Sequence, residues 1–250
     1  MLEIVTKHQY WQLLDAQVDK KLSKAKFPAN VLPWKKPAWH LKSVQDVIAF
    51  HYLNDPEGQN IGEIGGGDSR LLSTLARKNH CSNIEKFCGR DGGPTREVKI
   101  RKVRNVRAFV GEFSPQLEES SFDSLFSVSV VEHISNDEVS DFIRDCHRIL
   151  KPNGRMVHLV DMYLGPQRTE YNESRAKLYR SGFENELFKP EREIRISSRS
   201  DLRFDESYCT NPDNIMYGWN QDAPNLRDVR ETSQSVTLVW SGQAIKNAAD

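Results

Sequence analysis

The period of the hydrophobic positions changes near Gln59. Before that point Tyr10, Trp11, Leu14, Val18 and Leu22 recur at helical spacing, and a Pro- and Trp-containing connector follows from Phe27 to Trp39. Ser43, with Asp46 three residues on, predicts the capped start of a second helix with Val44, Val47, Ile48 and Leu53 on its apolar face. The run Asn54-Asp55-Pro56-Glu57-Gly58 stops it. Residues 1–58 therefore read as an N-terminal helical lead packed on the main body.

From Gln59 onward, short apolar runs alternate with helical segments. Strands are predicted near Asn60–Ile64, Ser82–Phe87, Val106–Val110, Asp123–Val130 and Arg155–Val160, and helices near Ser69–Lys78 and Asp137–Leu150. That order predicts βαβ units and a doubly wound, mostly parallel sheet, an α/β fold whose ligands sit at the carboxyl ends of the strands. Beyond Asp161 the periodicity weakens. Residues 165–232 are polar, rich in Arg and Asn, and punctuated by Pro166, Pro190, Pro212 and Pro224. They read either as a lid-like, substrate-binding insertion or as an irregular surface region. Ser235–Trp240 is β-branched enough to be a strand that closes the sheet. Residues 59–250 then form one domain behind the lead.

Composition narrows the function classes. The 250 residues carry 35 basic and 35 acidic side chains, so the formal net charge is zero and bulk attraction to nucleic acid or an anionic membrane has no support. A polyanion would have to use the local run Arg96, Lys99, Arg101, Lys102, Arg104 and Arg107. A charge run of this kind reads first as a solvated face, and it lacks the interleaved aromatics of a nucleic-acid platform, so a nucleic-acid partner is disfavoured. No stretch approaches the roughly 20 apolar residues of a membrane span, and the first residues lack an apolar signal core; the expectation is a cytoplasmic protein. The four cysteines form no CxxC pair and no zinc-like spacing, which predicts reduced thiols and no metal.

The candidate chemistry begins at Ile61-Gly62-Glu63-Ile64-Gly65-Gly66-Gly67-Asp68-Ser69-Arg70, an acidic residue at a strand end followed by glycines and a helix. Glycines let the backbone turn sharply and approach a ligand closely. Arg70 occupies the place where a dinucleotide fingerprint needs a third small residue, which disfavours a nicotinamide-dependent oxidoreductase, and no Lys-Ser/Thr follows as a phosphate loop requires. Glu85 follows the second strand, where a carboxylate can accept both ribose hydroxyls; Asp91 in Gly89-Arg90-Asp91-Gly92-Gly93 is its rival. Glu112 in Val110-Gly111-Glu112-Phe113 follows the third strand, where an acceptor can meet an adenine amino group.

Taken with Phe122-Asp123-Ser124-Leu125-Phe126-Ser127-Val128-Ser129-Val130-Val131-Glu132-His133-Ile134 and Arg148-Ile149-Leu150-Lys151-Pro152-Asn153-Gly154-Arg155, the chain resembles the class I S-adenosylmethionine-dependent methyltransferases over roughly residues 59–161. The resemblance implies a Rossmann-like methyltransferase fold, a seven-stranded sheet with an antiparallel hairpin at its C-terminal end, and S-adenosyl-L-methionine as cofactor. Carried over by position, Glu63 and Gly65, Gly66 and Gly67 surround the methionine moiety, Glu85 holds the ribose, Glu112 approaches adenine, and Ser129, Val130 and Glu132 line the pocket floor. One departure stands out: the family usually has a hydrophobic strand ending in Asp before the ribose, whereas Asn83-Ile84-Glu85-Lys86 is short and polar.

Methyl transfer from a sulfonium is an in-line displacement that needs alignment, and needs a base only when the nucleophile must lose a proton. His133, just after the fourth strand, has an ordinary pKa suited to that role, and Asp161 ends the fifth strand on the ligand side. Each has a bland alternative, a helix-start histidine and a loop-capping carboxylate. Tyr208, Tyr217, Trp219 and Trp240 can stack on a flat acceptor or belong to the core, with Tyr217 and Trp219 the better placed. The expected function is methyl transfer to a small-molecule or glycoconjugate acceptor, with O-methylation of a sugar hydroxyl preferred. The alternative is a module that keeps the sheet and binds without chemistry.

Overall fold

The computed structural model describes residues 1–13, 41–69, 71–89, 93–210 and 232–246. Among them lie strands β1 (Leu2–Ile4), β2 (Asn60–Ile64), β3 (His80–Ile84), β4 (Val103–Val106), β5 (Phe122–Val128), β6 (Leu150–Leu164), β7 (Phe188–Pro190) and β8 (Gln234–Ala244). The helices are α1 (Lys7–Leu13), α2 (Leu41–Leu53), α3 (Leu72–Leu75), α4 (Val139–Ile149) and α5 (Thr169–Glu184).

The strands form one sheet in the order β1-β8-β6-β5-β2-β3-β4, with β7 also paired to β8. Strands β2 to β6 run parallel, and β8 runs antiparallel to β6. Strand order reverses at β2, which lies between β3 and β5; ligands of such sheets bind outside the carboxyl ends at that switch point. The sheet has eight strands instead of seven because the outer edge of β8 is shared. Leu2–Ile4 pairs with Leu238–Trp240, and Phe188–Pro190 pairs with Gly242–Ala244. The lead thus contributes a strand as well as helices.

Both faces are covered. Alternation along β6 sends Met156, Val160 and Met162 to the core under α4 and α5, and Val157 and Leu159 to the core under α2 and α3. Helix α4 buries Val139, Phe142, Ile143, Cys146 and Ile149, a single stripe at helical spacing. At the amino end of β6, the Lys-Pro-x-Gly turn places Lys151 on Asp123, with Nζ 2.8 Å from Oδ2. Gly62 lets β2 pass under its neighbours, since a Cβ there would lie 2.7 Å from Leu125 Cδ2.

Several expectations are corrected. The helix predicted over Ser69–Lys78 is a single turn, Leu72–Leu75, flanked by hydrogen-bonded turns through Asn79. Ser43 cannot cap α2, because that helix is already under way at Leu41; Asn54 and Asp55, both with positive φ, do end it. The third parallel strand covers Val103–Val106 and so ends four residues before Val110. Among its described residues, the segment after Asp161 holds the 16-residue helix α5 and strand β7. All four cysteines are free; Cys81 and Cys146 are buried, whereas Cys88 is exposed. No described helix is long and apolar enough to cross a membrane.

One buried titratable group sits in the middle of the sheet. His158 on β6 is fully buried, bonds to Ser127 Oγ through Nδ1 at 2.9 Å and packs on Phe142 and Trp240, with ring centroids 5.3 and 5.2 Å away. Burial lowers its pKa from 6.5 to about 3. The unfolded chain therefore takes up this proton first, and stability present above pH 6.5 is lost as the pH falls towards 3. The double variant Ser127→Ala/His158→Phe should stay close to wild-type stability at pH 7 and show a flatter acid limb when urea unfolding is measured from pH 7 to 4; an unchanged limb would mean that other groups set it.

Candidate functional site

The glycine turn caps β2 at the switch point. Gly65 and Gly67 have φ of 64° and 51°, a left-handed conformation that glycine adopts without strain. Gly65 N–H donates to Ile84 O at 2.9 Å, which ties the turn to the end of β3. A Cβ on Gly66 would lie 2.7 Å from Asn83 Oδ1 and 2.9 Å from Glu63 Cδ, so the turn has closed over two buried polar side chains. Asn83 Nδ2 donates to Gly67 O at 2.9 Å, while its buried Oδ1 has no hydrogen-bond partner among the described residues. Glu63, only 5% exposed, accepts the hydroxyl of Ser69, whose Oγ in turn receives Leu72 N–H at 3.0 Å. Arg70 lies outside the described residues.

The ribose and adenine candidates follow the next two strands. Glu85, half-buried, immediately follows β3; its backbone N–H donates to Val106 O at 3.0 Å and its Oε1 accepts Phe87 N–H at 3.0 Å. Asp91 lies outside the described residues. Glu112 is exposed and paired with Lys86 at 2.9 Å, and Lys86 also sits 4.7 Å above the Phe109 ring. Glu112 comes six positions after Val106, the last residue of β4, so it stands on a loop instead of a strand end. That loop hangs from α4: fully buried Asp145 accepts Gly111 N–H at 2.7 Å and Phe113 N–H at 3.2 Å, and pairs with Arg148, which reaches Leu117 O at 2.7 Å.

After β5 the chain turns at Ser129, which has a φ of 53° and is 8% exposed, and enters a 3-10 turn over Val131–His133. Val130 lies against the glycine turn, since its Cγ2 is 2.7 Å from where a Cβ of Gly65 would be. Glu132 is half-buried and His133 exposed. The turn is clamped from α5 by Arg175, 2% exposed, which donates to Val131 O and Ile134 O at 2.6 Å each and to Asn136 Oδ1 at 3.0 Å.

Asp161 on β6 is half-buried and joins a polar bridge that the sequence did not reveal. Gln45, fully buried on α2, accepts Ser129 Oγ–H at 2.6 Å and donates through Nε2 to Asp161 Oδ1 at 2.5 Å and to Thr237 Oγ1 at 3.3 Å. Thr237 is the cross-strand partner of Asp161, which does not end its strand, since β6 runs on to Leu164; Gln45 thus ties the turn after β5 to β6 and β8. Among the described residues no hydrogen bond joins His133 to Asp161; the two are separate candidates, not a pair. Gln45, Asp145 and Arg175 were all missed. Their only sequence signal is a polar residue on an otherwise buried helix face.

Of the aromatic candidates, Trp240 is fully buried and stacks on Tyr179 at 4.9 Å, which makes it core. Tyr208 is half-buried, with its hydroxyl 3.3 Å from Asp201 O; Tyr217 and Trp219 lie outside the described residues. The basic run from Arg96 to Arg107 is exposed, with Arg107 3.4 Å from Glu97.

Residues 63–158 match the family model of the methyltransferase domain. No curated protein matches the sequence at a significant level. Among solved structures, the fold is similar to geranyl diphosphate C-methyltransferase from Streptomyces coelicolor A3(2), in complex with Mg2+, geranyl diphosphate and S-adenosyl-L-homocysteine, at 12% identity and a TM-score of 0.52 over 81% of this chain and 79% of that one. It is also similar to a Haemonchus contortus phosphoethanolamine N-methyltransferase 2 in complex with S-adenosyl-L-methionine, at 15% identity and a TM-score of 0.52 over 81% of this chain and 52% of that one. A putative sarcosine dimethylglycine methyltransferase from Galdieria sulphuraria gives 13% identity and a TM-score of 0.51, with 81% and 86% covered.

Replacing Gln45 by Leu leaves the buried Ser129 hydroxyl without its acceptor and removes one donor from Asp161. The variant should lose about 1–3 kcal/mol in urea unfolding, the cost of a buried polar group that loses its partner. Wild-type stability would show that the bridge is not made.

Proposed function

From the premise that residues 63–158 form a methyltransferase domain on the class I, S-adenosylmethionine-dependent fold, we propose that the chain transfers a methyl group to the hydroxyl of a small polar acceptor, a sugar or glycoconjugate. The observation that carries this reading is the glycine turn at the switch point. It presents no side chain from Gly65 to Gly67, and beside it lies the buried Asn83 Oδ1, an acceptor with no partner among the described residues. Those features fit the aminoacyl end of S-adenosyl-L-methionine, which carries hydrogen-bond donors and has to approach the backbone closely.

In this proposal Glu63, Gly65, Gly66 and Gly67 hold the methionine moiety, Glu85 the ribose and Glu112 the adenine, while Ser129, Val130 and Glu132 form the floor. When bound, the cofactor supplies a methyl group on a sulfonium whose leaving group is neutral once the methyl departs. What the chain then has to supply is orientation. Asp161, fixed by Gln45, orients the acceptor hydroxyl, and His133, open to solvent at the rim, takes its proton. An unbiased screen of cell extract with label-bearing cofactor identifies the acceptor.

Calorimetry should show binding of S-adenosyl-L-methionine and S-adenosyl-L-homocysteine but not of NAD. Gly66→Val, whose branches collide with Asn83 and Glu63, should weaken that binding by about tenfold or more, a cost of the size expected for overpacking. Asp161→Asn should leave cofactor affinity near wild type and slow transfer to the acceptor. A folded Gly66→Val protein with full affinity would remove the turn from the site, and unimpaired transfer by Asp161→Asn would remove the carboxylate.

A further inference from the structure

At the far end of β6 the chain opens a cleft of about 640 Å³ that none of the residues assigned above lines. Its walls include Arg199, Arg203, Phe204 and Thr169, and its base is the backbone of Gly165 against Thr232 and Ser233. These two backbones touch, since a Cβ on Gly165 would lie 2.7 Å from Thr232 O. Among the described residues that line it there is no carboxylate.

The arginines stand on a built turn. Residues Arg199–Leu202 form a 3-10 turn closed by a capping box, in which Asp201 accepts Ser198 N–H at 2.8 Å and Ser197 N–H at 2.9 Å. Leu202, 1% exposed, anchors the turn in the core. One oxygen of Asp201, Oδ2, is therefore held by the turn itself. Among the described residues Arg199 pairs with Glu170, 3.9 Å away and 88% exposed, a distance and a setting at which water screens the pair. Arg203 forms no ion pair among the described residues.

Leu164, on the cleft wall, is three residues beyond Asp161 on the same strand, about 10 Å away at strand rise. Two guanidiniums suited to forked binding of an oxyanion, an aromatic ring and several hydroxyls thus line a cleft that begins at the end of the strand carrying Asp161. We propose that the cleft binds the oxyanion, a phosphate or a carboxylate, of the methyl acceptor, with Arg199 and Arg203 as its ligands. The inference rests on the methyltransferase reading for what the molecule is, but not for whether the cleft binds an oxyanion.

The test is calorimetric, on the full chain at low ionic strength, with and without S-adenosyl-L-homocysteine, using pyrophosphate, inorganic phosphate, malonate and uncharged glucose as probes. Pyrophosphate or malonate should bind at one site and glucose should not; the stronger of the two identifies the acceptor's anion as phosphate or carboxylate. Arg199→Gln/Arg203→Gln should weaken that binding by about tenfold or more, the scale of losing charge-assisted forks. It should leave S-adenosyl-L-homocysteine affinity within about twofold, as expected of separate sites. Arg96→Gln/Arg101→Gln removes the same charge elsewhere and should change neither. No anion binding, or equal weakening by the two double variants, overturns the cleft. Failure of S-adenosyl-L-homocysteine to bind the wild-type chain counts against the cofactor reading alone.

Discussion

A sheet covered on both faces has one place for polar chemistry, the ends of its strands, and every polar group brought there must find a partner as it leaves water. Apart from Asn83 Oδ1, the described structure meets this demand at the loops with buried polar side chains from several layers. Gln45 comes from α2, Asp145 from α4, Arg175 from α5 and Asn83 from β3, and each ties down a different loop at the carboxyl edge. Losing any of these partners exposes a cost of about 1–3 kcal/mol, a sizeable part of the stability of an ordinary domain. The groups that hold the loops are therefore also groups that hold the fold, and the candidate site is ordered by the same bonds that order the core.

The backbone shows the same economy. Gly65, Gly67, Phe87, Gly111, Phe113 and Ser129 all have positive φ, and all follow the carboxyl ends of β2 to β5. Left-handed residues reverse the chain within a step, which keeps the edge short and leaves it open. Phe87, Phe113 and Ser129 do this without glycine, at roughly 1–2 kcal/mol each. Each is also held by a bond on or beside the turn: Phe87 N–H by Glu85, Phe113 N–H by Asp145, and the Ser129 hydroxyl by Gln45.

How much of this was legible in the sequence follows from the range of the interactions. Strands β2 and β5 and helix α4 were readable because their burial repeats over consecutive residues with a single period. Strand β1 was not, since three residues carry no period and its partner lies more than 230 positions away. Helix α5 escaped for a different reason. Its buried face is Thr169, Asn172, Arg175, Ala176, Tyr179 and Gly182, mostly polar or small, so no hydrophobic stripe marks it. The glycine turn and the carboxylates after it were visible as local motifs, whereas the Gln45 bridge, which spans 84 positions to Ser129 and 116 to Asp161, has no local signature.

The shared edge of β8 bears on what the lead and the insertion are for. The lead binds the insertion directly: Leu2 O accepts Arg195 N–H at 3.0 Å, Val5 O accepts Cys209 N–H at 2.9 Å, and buried Glu3 lies 3.4 Å from Arg195. It also binds the sheet next to the polar bridge, since Val5 N–H donates to the carbonyl of Thr237, whose side chain meets Gln45. The described parts of the two segments are thus joined to one another as well as to β8. The bonds that join them span 193 positions from Leu2 to Arg195 and 204 from Val5 to Cys209, so no local motif marks this side of the sheet.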